Sequence, residues 1–156
     1  MTSTGKPESV DAISATVAQL VRLSLSRSAF ARQAAAADAE LSQPSYTLLR
    51  VLLDQGPMPI GRLAGRAFMD VGMATRRVQA LVDAGLVARR ADPSDGRVSV
   101  IDPTLDGERA AGALHGVRRE HLVRALSDWS ADELRQFDRL LARFLCDTTK
   151  TPITEV

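Results

Sequence analysis

Cysteine is nearly missing from this chain of 156 residues: Cys146 stands alone. No internal disulfide and no multi-cysteine metal site can form, and a reducing cytoplasm is the expected compartment. Aromatic residues make up only 4%, too few for the stacking platforms that grip single-stranded nucleic acid. No apolar run approaches the roughly 18 residues of a membrane-spanning helix. The opening stretch MTSTGKPESVDA has one lysine and no apolar centre, unlike a secretory signal. Phosphate-binding Walker loops, dinucleotide-binding glycine patterns and nucleophile elbows are absent. His115 and His121 fall on nearly opposite faces of one helix, so they cannot converge on a metal. The pair Asp132-Glu133 reads as helix-capping chemistry. Neither catalytic residues nor a metal nor a cofactor is expected.

What is present is an ordinary globular composition, 45% apolar and 25% charged. The net charge of +1 hides a pattern. Residues 1–59 carry five basic and five acidic side chains, and residues 101–156 carry eight against ten. Residues 60–100 carry seven arginines (62, 66, 76, 77, 89, 90 and 97) against four aspartates. The basic set is almost all arginine, whose planar donors suit phosphate and guanine.

Periodicity divides the chain into helices and one hairpin. Ile13, Val17, Leu20, Val21 and Leu25 recur at helical spacing, and the alanine-rich tail predicts one long helix over 11–39. Ser42 caps a second helix, with Pro44 in its first turn and Gly56-Pro57 at its end. A third runs from Ile60 to Phe68, with Ile60, Leu63, Ala64, Ala67 and Phe68 facing inward. Asp70 caps a fourth, which closes at Gly85. Residues 86–91 and 97–101 then alternate as two strands around the turn DPSDG. Thr104 caps a fifth helix, and Ser130 with Glu133 forms a capping box opening a sixth, to about Asp147.

Two short helices followed by a hairpin describe a winged helix-turn-helix. At about 100° per residue, Val71, Ala74, Thr75, Val78, Leu81 and Val82 share one stripe of the fourth helix, the expected core side. Gly72, Met73, Arg76, Arg77, Ala80 and Asp83 lie opposite, with Gln79 at the edge. Short side chains there let the helix sink into a major groove while Arg76 reaches a guanine edge. An ordinary solvated amphipathic helix has the same pattern. The hairpin adds weight, because Arg97 stands beside a protruding Asp-Gly turn, where it suits a minor groove. Asp95 is expected to hold the Arg97 side chain by a charge-assisted bond, and Arg89 and Arg90 to meet flanking phosphates. The candidate DNA-contacting set is Gly72, Met73, Thr75, Arg76, Arg77 and Gln79 on the helix, with Arg89, Arg90, Ser94, Asp95, Gly96 and Arg97 on the hairpin. Thr75 is counted with both faces.

The stretch DPSDGRVSVIDPTLDG resembles the signature of the MarR family of transcriptional regulators, through Asp95, Arg97, Ile101, Thr104 and Gly107. ALVDAGLVARR is similar to the end of that family's recognition helix, and LSQPSYTLLRVLLDQGPMPIGRLA to its second and third helices. The resemblance covers about residues 15–146. Pro103 stands where the family usually has leucine, and Gly61, Gly65 and Gly72 are less usual too. The resemblance implies a homodimer, a palindromic double-stranded operator and, often, release by a small aromatic or phenolic ligand. Pockets in that family lie where dimerisation helices meet the DNA-binding lobe, a place to which Tyr46, His115 and Arg118 are candidates to bring polar groups. Some relatives resemble peroxide switches with a cysteine in the first helix, and this chain has none there.

The expected fold is mainly α with a small β-wing, one compact domain overall. It has a flexible N-terminus over 1–10, an N-terminal dimerisation helix over 11–39, and a winged helix-turn-helix over 40–103. C-terminal dimerisation helices over 104–147 and a flexible tail over 148–156 complete it. The dimer has independent support: Leu134, Phe137, Leu140, Leu141, Phe144 and Leu145 give the last helix an apolar face broader than a winged helix needs. The expected partners are double-stranded DNA, a second copy and a small aromatic effector, with no membrane. Two functions from different classes remain: a dimeric DNA-binding repressor, and a winged-helix module that binds protein. Arginines at 76, 77 and 97, on both helix and wing, favour the first.

Overall fold

A computed structural model describes residues 5–152. The order is α1 (Gly5–Ser24), α2 (Arg27–Ala36), α3 (Gln43–Gln55), β1 (Met58–Pro59), α4 (Ile60–Arg66), α5 (Val71–Asp83), β2 (Val87–Ala91), β3 (Ser99–Pro103), α6 (Leu105–Ala125) and α7 (Ala131–Lys150). It is a mainly helical winged-helix fold with a three-stranded antiparallel wing sheet of order β1-β3-β2. No helix among the described residues is long and apolar enough to cross a membrane. The chain divides into two compact units, Met1–Arg118 and Arg119–Val156, the division falling within α6. One compact domain was expected. The first unit completes its core without the second, since every buried hydrophobic residue among those described lies at or before Leu114.

That core is built by α3. Leu48, Leu49 and Leu52 recur at helical spacing and are at most 1% exposed, packed with Leu63, Ala64, Val78, Leu81, Ile101 and Leu114. Ser42 starts α3 as expected, its hydroxyl accepting the Ser45 N–H at 3.3 Å, and Gly56 ends it with a positive φ of 83°. Truncating a leucine of this cluster to alanine costs about 2–5 kcal/mol.

Several boundaries differ from the sequence reading. The helix expected over 11–39 is two helices. The segment SLSRS interrupts it: serine side chains compete for backbone partners, and Ser26 turns extended to cap α2 through the Ala29 N–H. The Gln43 side-chain amide of α3 donates to the Ser24 carbonyl, closing the end of α1. Residues 5–10, expected to be flexible, are helical, whereas 1–4 lie outside the described residues. α7 runs to Lys150, three residues into the expected tail, whose residues 153–156 lie outside the description. The third helix stops at Arg66, not Phe68, and Phe68 points outward. β1 is additional: two residues, one a proline, carry no periodic signal, yet Met58 pairs with Ile101 and is buried.

In the second unit the predicted capping box is present. The Glu133 N–H donates to the Ser130 hydroxyl at 3.3 Å, and the Ser130 N–H donates to the Glu133 carboxylate at 2.8 Å. The Ser130 hydroxyl, and then its N–H, hold that carboxyl below the usual glutamate range. α7 buries none of its residues. Leu134, Phe137, Leu140, Leu141 and Leu145 are all exposed, and Trp129 packs edge-on against Phe137 with ring centres 5.4 Å apart.

Candidate nucleic-acid interface

α5 is held at both ends. Asp70 accepts the Met73 N–H at 2.7 Å, and Gly85 takes a left-handed φ of +71° that lets the Leu86 N–H return to the Leu81 carbonyl at 2.8 Å. Only Ala74, Val78 and Leu81 are buried. The core stripe is therefore narrower than its periodicity suggests, because Val71 and Thr75, expected inward, are exposed. The Thr75 hydroxyl donates to the Val71 carbonyl at 2.7 Å, and the Gln79 amide donates to Asp83 at 2.9 Å. Gly72, Met73, Arg76 and Arg77 share the open side.

The wing ribbon is β2 and β3, with Arg89 opposite Ile101 and Arg90 opposite Val100. Its tip, residues 92–98, is tied by local bonds. The Asp92 N–H donates to the Val98 carbonyl at 2.8 Å, and the Asp92 carboxylate accepts from the Ser94 hydroxyl at 2.6 Å and the Ser94 N–H at 2.8 Å. Those two bonds, the hydroxyl first, hold Asp92 below the usual aspartate range. Its turn-holding charge therefore persists at neutral pH and is lost only as the pH falls through that lowered value.

Asp95 corrects the expectation made for it. Its carboxylate accepts the backbone N–H of Arg97 at 3.0 Å, not the guanidinium. That bond occupies the N–H, so β3 starts at Ser99 instead of Arg97. Asp95 thus shapes the turn that carries Arg97. Asp95→Asn keeps an acceptor and should leave DNA affinity nearly unchanged, whereas Asp95→Ala should weaken it several-fold. Gel-shift titration of both variants at fixed salt separates turn-shaping from simple charge, since relief of repulsion alone would tighten both.

The charge arrangement separates the arginines. Arg90 Nε lies 3.1 Å from Asp102, a cross-strand ion pair that turns Arg90 from a free phosphate donor into a braced one. Among the described residues, Arg76, Arg77, Arg89 and Arg97 have no carboxylate within salt-bridge distance, although six other arginines do. All four are exposed. Unpaired guanidiniums on an exposed helix face and at a turn tip are set to accept an external anion.

A MarR family model matches residues 41–99, from α3 to the start of β3. The uncharacterized HTH-type transcriptional regulator YxaD of Bacillus subtilis is 37% identical over 103 residues, covering 66% of this chain and 72% of the relative. The chain belongs to the MarR family. It is a winged-helix transcriptional regulator and not an enzyme. A second Bacillus subtilis relative, the regulator YcgE, is 31% identical over 122 residues, covering 78% of this chain and 74% of its own. The structure of a MarR family protein from Bacillus stearothermophilus superposes with a TM-score of 0.74 at 23% identity, covering 96% of this chain and 99% of that one, a likeness of fold.

The MarR-like signature acquires physical meaning at the base of the wing. Ile101 is buried. Thr104 is a knot: its hydroxyl donates to the Gly85 carbonyl at 2.7 Å and accepts the Gly107 N–H at 3.1 Å, while its own N–H donates to the Leu86 carbonyl at 3.0 Å. Gly107 lets α6 press onto that turn, since a Cβ there would lie 2.0 Å from the Leu86 carbonyl oxygen. Pro103 ends β3 opposite Val87 without breaking the ladder.

Of the three candidate ligand residues, Tyr46 and Arg118 are brought together and His115 is not part of their cluster. The Arg118 guanidinium sits 4.7 Å from the Tyr46 ring centre and 5.4 Å from that of Phe30, and its Nε donates to Gln33 at 2.9 Å. These side chains use each other, and His115 is exposed. A cleft of about 720 Å³ in the same unit shares Phe30 with that cluster and is otherwise lined by Leu25, Arg27, Ser42, Gln43, Pro44, Thr47, Ala67, Met69 and Arg77. The sequence reading missed Arg27 and this cleft, because the α1–α2 break that forms its rim lies inside what reads as one helix.

Proposed function

We propose that this regulator is a homodimer that binds palindromic double-stranded DNA as a repressor, and that a small aromatic or phenolic ligand releases it. The observation that carries the reading is the set of unpaired arginines 76, 77, 89 and 97 on α5 and the wing. α5 enters the major groove, Arg76 meets a guanine edge and Arg77 a phosphate, and Arg97 follows the minor groove. The exposed apolar face of α7 supplies the surface for a second copy. The work takes place in the cytoplasm, where the DNA is.

The cleft supports the ligand part. Its apolar walls suit a ring, and Arg27 and Arg77 suit a carboxylate or phenolate. Arg77 belongs both to the cleft and to the exposed face of α5, so a ligand held there competes for a side chain that DNA needs.

The deciding experiment is a gel shift on random duplex DNA across a salt series, followed by selection of an operator from a random pool. Binding should fall steeply with salt. Arg76→Ala should cost about 1–3 kcal/mol on the operator and relax discrimination at one base pair per half-site. Arg77→Ala should weaken all sequences alike. No shift at any salt would leave the protein-binding reading in its place. For the ligand, Arg27→Ala should weaken release by phenolic carboxylates while leaving DNA affinity intact.

A further inference from the structure

Two residues that the sequence places inward, Phe68 and Val71, stand outward at the head of α5. Phe68 is the odd member of a series. α2, α4 and α5 all end in the same turn, with a left-handed residue after the last helical turn: Asp38 at φ 49°, Phe68 at 51° and Gly85 at 71°. After α4, the Phe68 N–H returns to the Gly65 carbonyl at 3.2 Å and the Met69 N–H to the Ala64 carbonyl at 2.9 Å. Glycine takes that conformation freely and aspartate readily, whereas phenylalanine adopts it only at a cost. Nor does packing compensate: Phe68 is 88% exposed. An aromatic ring is thus held in solvent, at a backbone cost, two residues before the cap of the helix proposed to enter the groove.

Between it and Arg76 most of the exposed side chains are apolar. Val71 is 54% and Met73 37% exposed, with Gly72 between them. None of the three side chains Phe68, Val71 and Met73 donates or accepts a strong hydrogen bond, the exposed Asp70 carboxylate between Phe68 and Val71 is engaged by the Met73 N–H, and the first guanidinium of α5 is Arg76. An apolar surface in a major groove finds one matching feature on base edges, the thymine 5-methyl group. We propose that Phe68 and Met73 read thymine methyls at the end of each half-site that meets the head of α5, beside the guanine met by Arg76. The inference rests on the DNA-binding reading and adds a composition to the site: thymine where α5 begins, guanine further along.

The test uses the full chain and its selected operator. Wild type should enrich a motif with one or more thymines flanking the guanine whose discrimination Arg76→Ala relaxes. Replacing those thymines by deoxyuridine, which removes only the methyl, should weaken binding about fourfold per contacted methyl. Phe68→Gly should weaken operator binding about tenfold and abolish part of the deoxyuridine effect, while its unfolding temperature holds or rises because the left-handed position now carries glycine. A wild type that binds no duplex overturns the DNA reading itself. Wild-type binding that is indifferent to the thymine methyls, or a Phe68→Gly loss equal on operator and random DNA, overturns this inference alone.

Discussion

Gly107→Ala is expected to unfold the first unit more readily than any other single added methyl. The new Cβ would sit 2.0 Å from the Leu86 carbonyl oxygen, 3.0 Å from its carbon and 3.2 Å from Leu49 in the core. The nearest obstacle is backbone, and that backbone is pinned by Thr104, whose hydroxyl and N–H hold Gly85 and Leu86. Relief requires α6 to move off the turn, which breaks both bonds and uncovers the buried Ala111 and Leu114. A cost of roughly 3 kcal/mol lies at the upper end of overpacking, and for a chain of this length that lowers the unfolding temperature by about 10 °C. Thermal melts followed by circular dichroism measure it. Gly112→Ala is the control, since a Cβ there meets nothing within 4 Å and alanine favours helix. Equal melts for Gly107→Ala and wild type would show that α6 does not rest on the Leu86 turn.

The second large effect concerns assembly. Ending the chain after Ser127 removes α7 and its exposed Phe137, Leu140, Leu141 and Leu145. Loss of the dimer should carry tight DNA binding with it, because two half-sites held by one particle gain about 10²–10⁴ in avidity that a single unit lacks. Leu140→Glu makes the same point without truncation. The side chain is 56% exposed, so the helix keeps its cap and its fold while a charge enters the apolar face. Sedimentation should give a monomer for both variants and a dimer for wild type at micromolar concentration. A full-length chain that sediments as a monomer would remove the case for two-fold operator binding, and a dimeric Leu140→Glu would move the interface away from this face.

Capping chemistry was legible because it is local. Ser42, Asp70 and Ser130 each bond an amide three residues on, as their positions predict. Gly85 was legible for the same reason, since a left-handed turn after a helix favours glycine. The long-helix reading failed at SLSRS, where two alternatives of similar local propensity compete and a side chain from α3 helps settle the break. β1 was invisible because its partner strand lies about forty residues further along the chain. At Asp95 the sequence supplies an acceptor beside an arginine, and only the tight turn makes the backbone N–H of Arg97 the donor.

From sequence alone came the family resemblance, the helix order, the hairpin and the central arginine excess, all of which follow from short-range spacing and composition. Tertiary structure decided which arginines are already paired, Arg90 with Asp102, and which remain open, Arg76, Arg77, Arg89 and Arg97. It also gathered Arg27 and Arg77 around one cleft and turned Phe68 and Val71 outward. Those outcomes depend on contacts between segments far apart in the chain and on the handedness of single residues. Hydrophobic periodicity averages over such details, so it reports that a face is apolar without saying whether the core or the solvent receives each member of it.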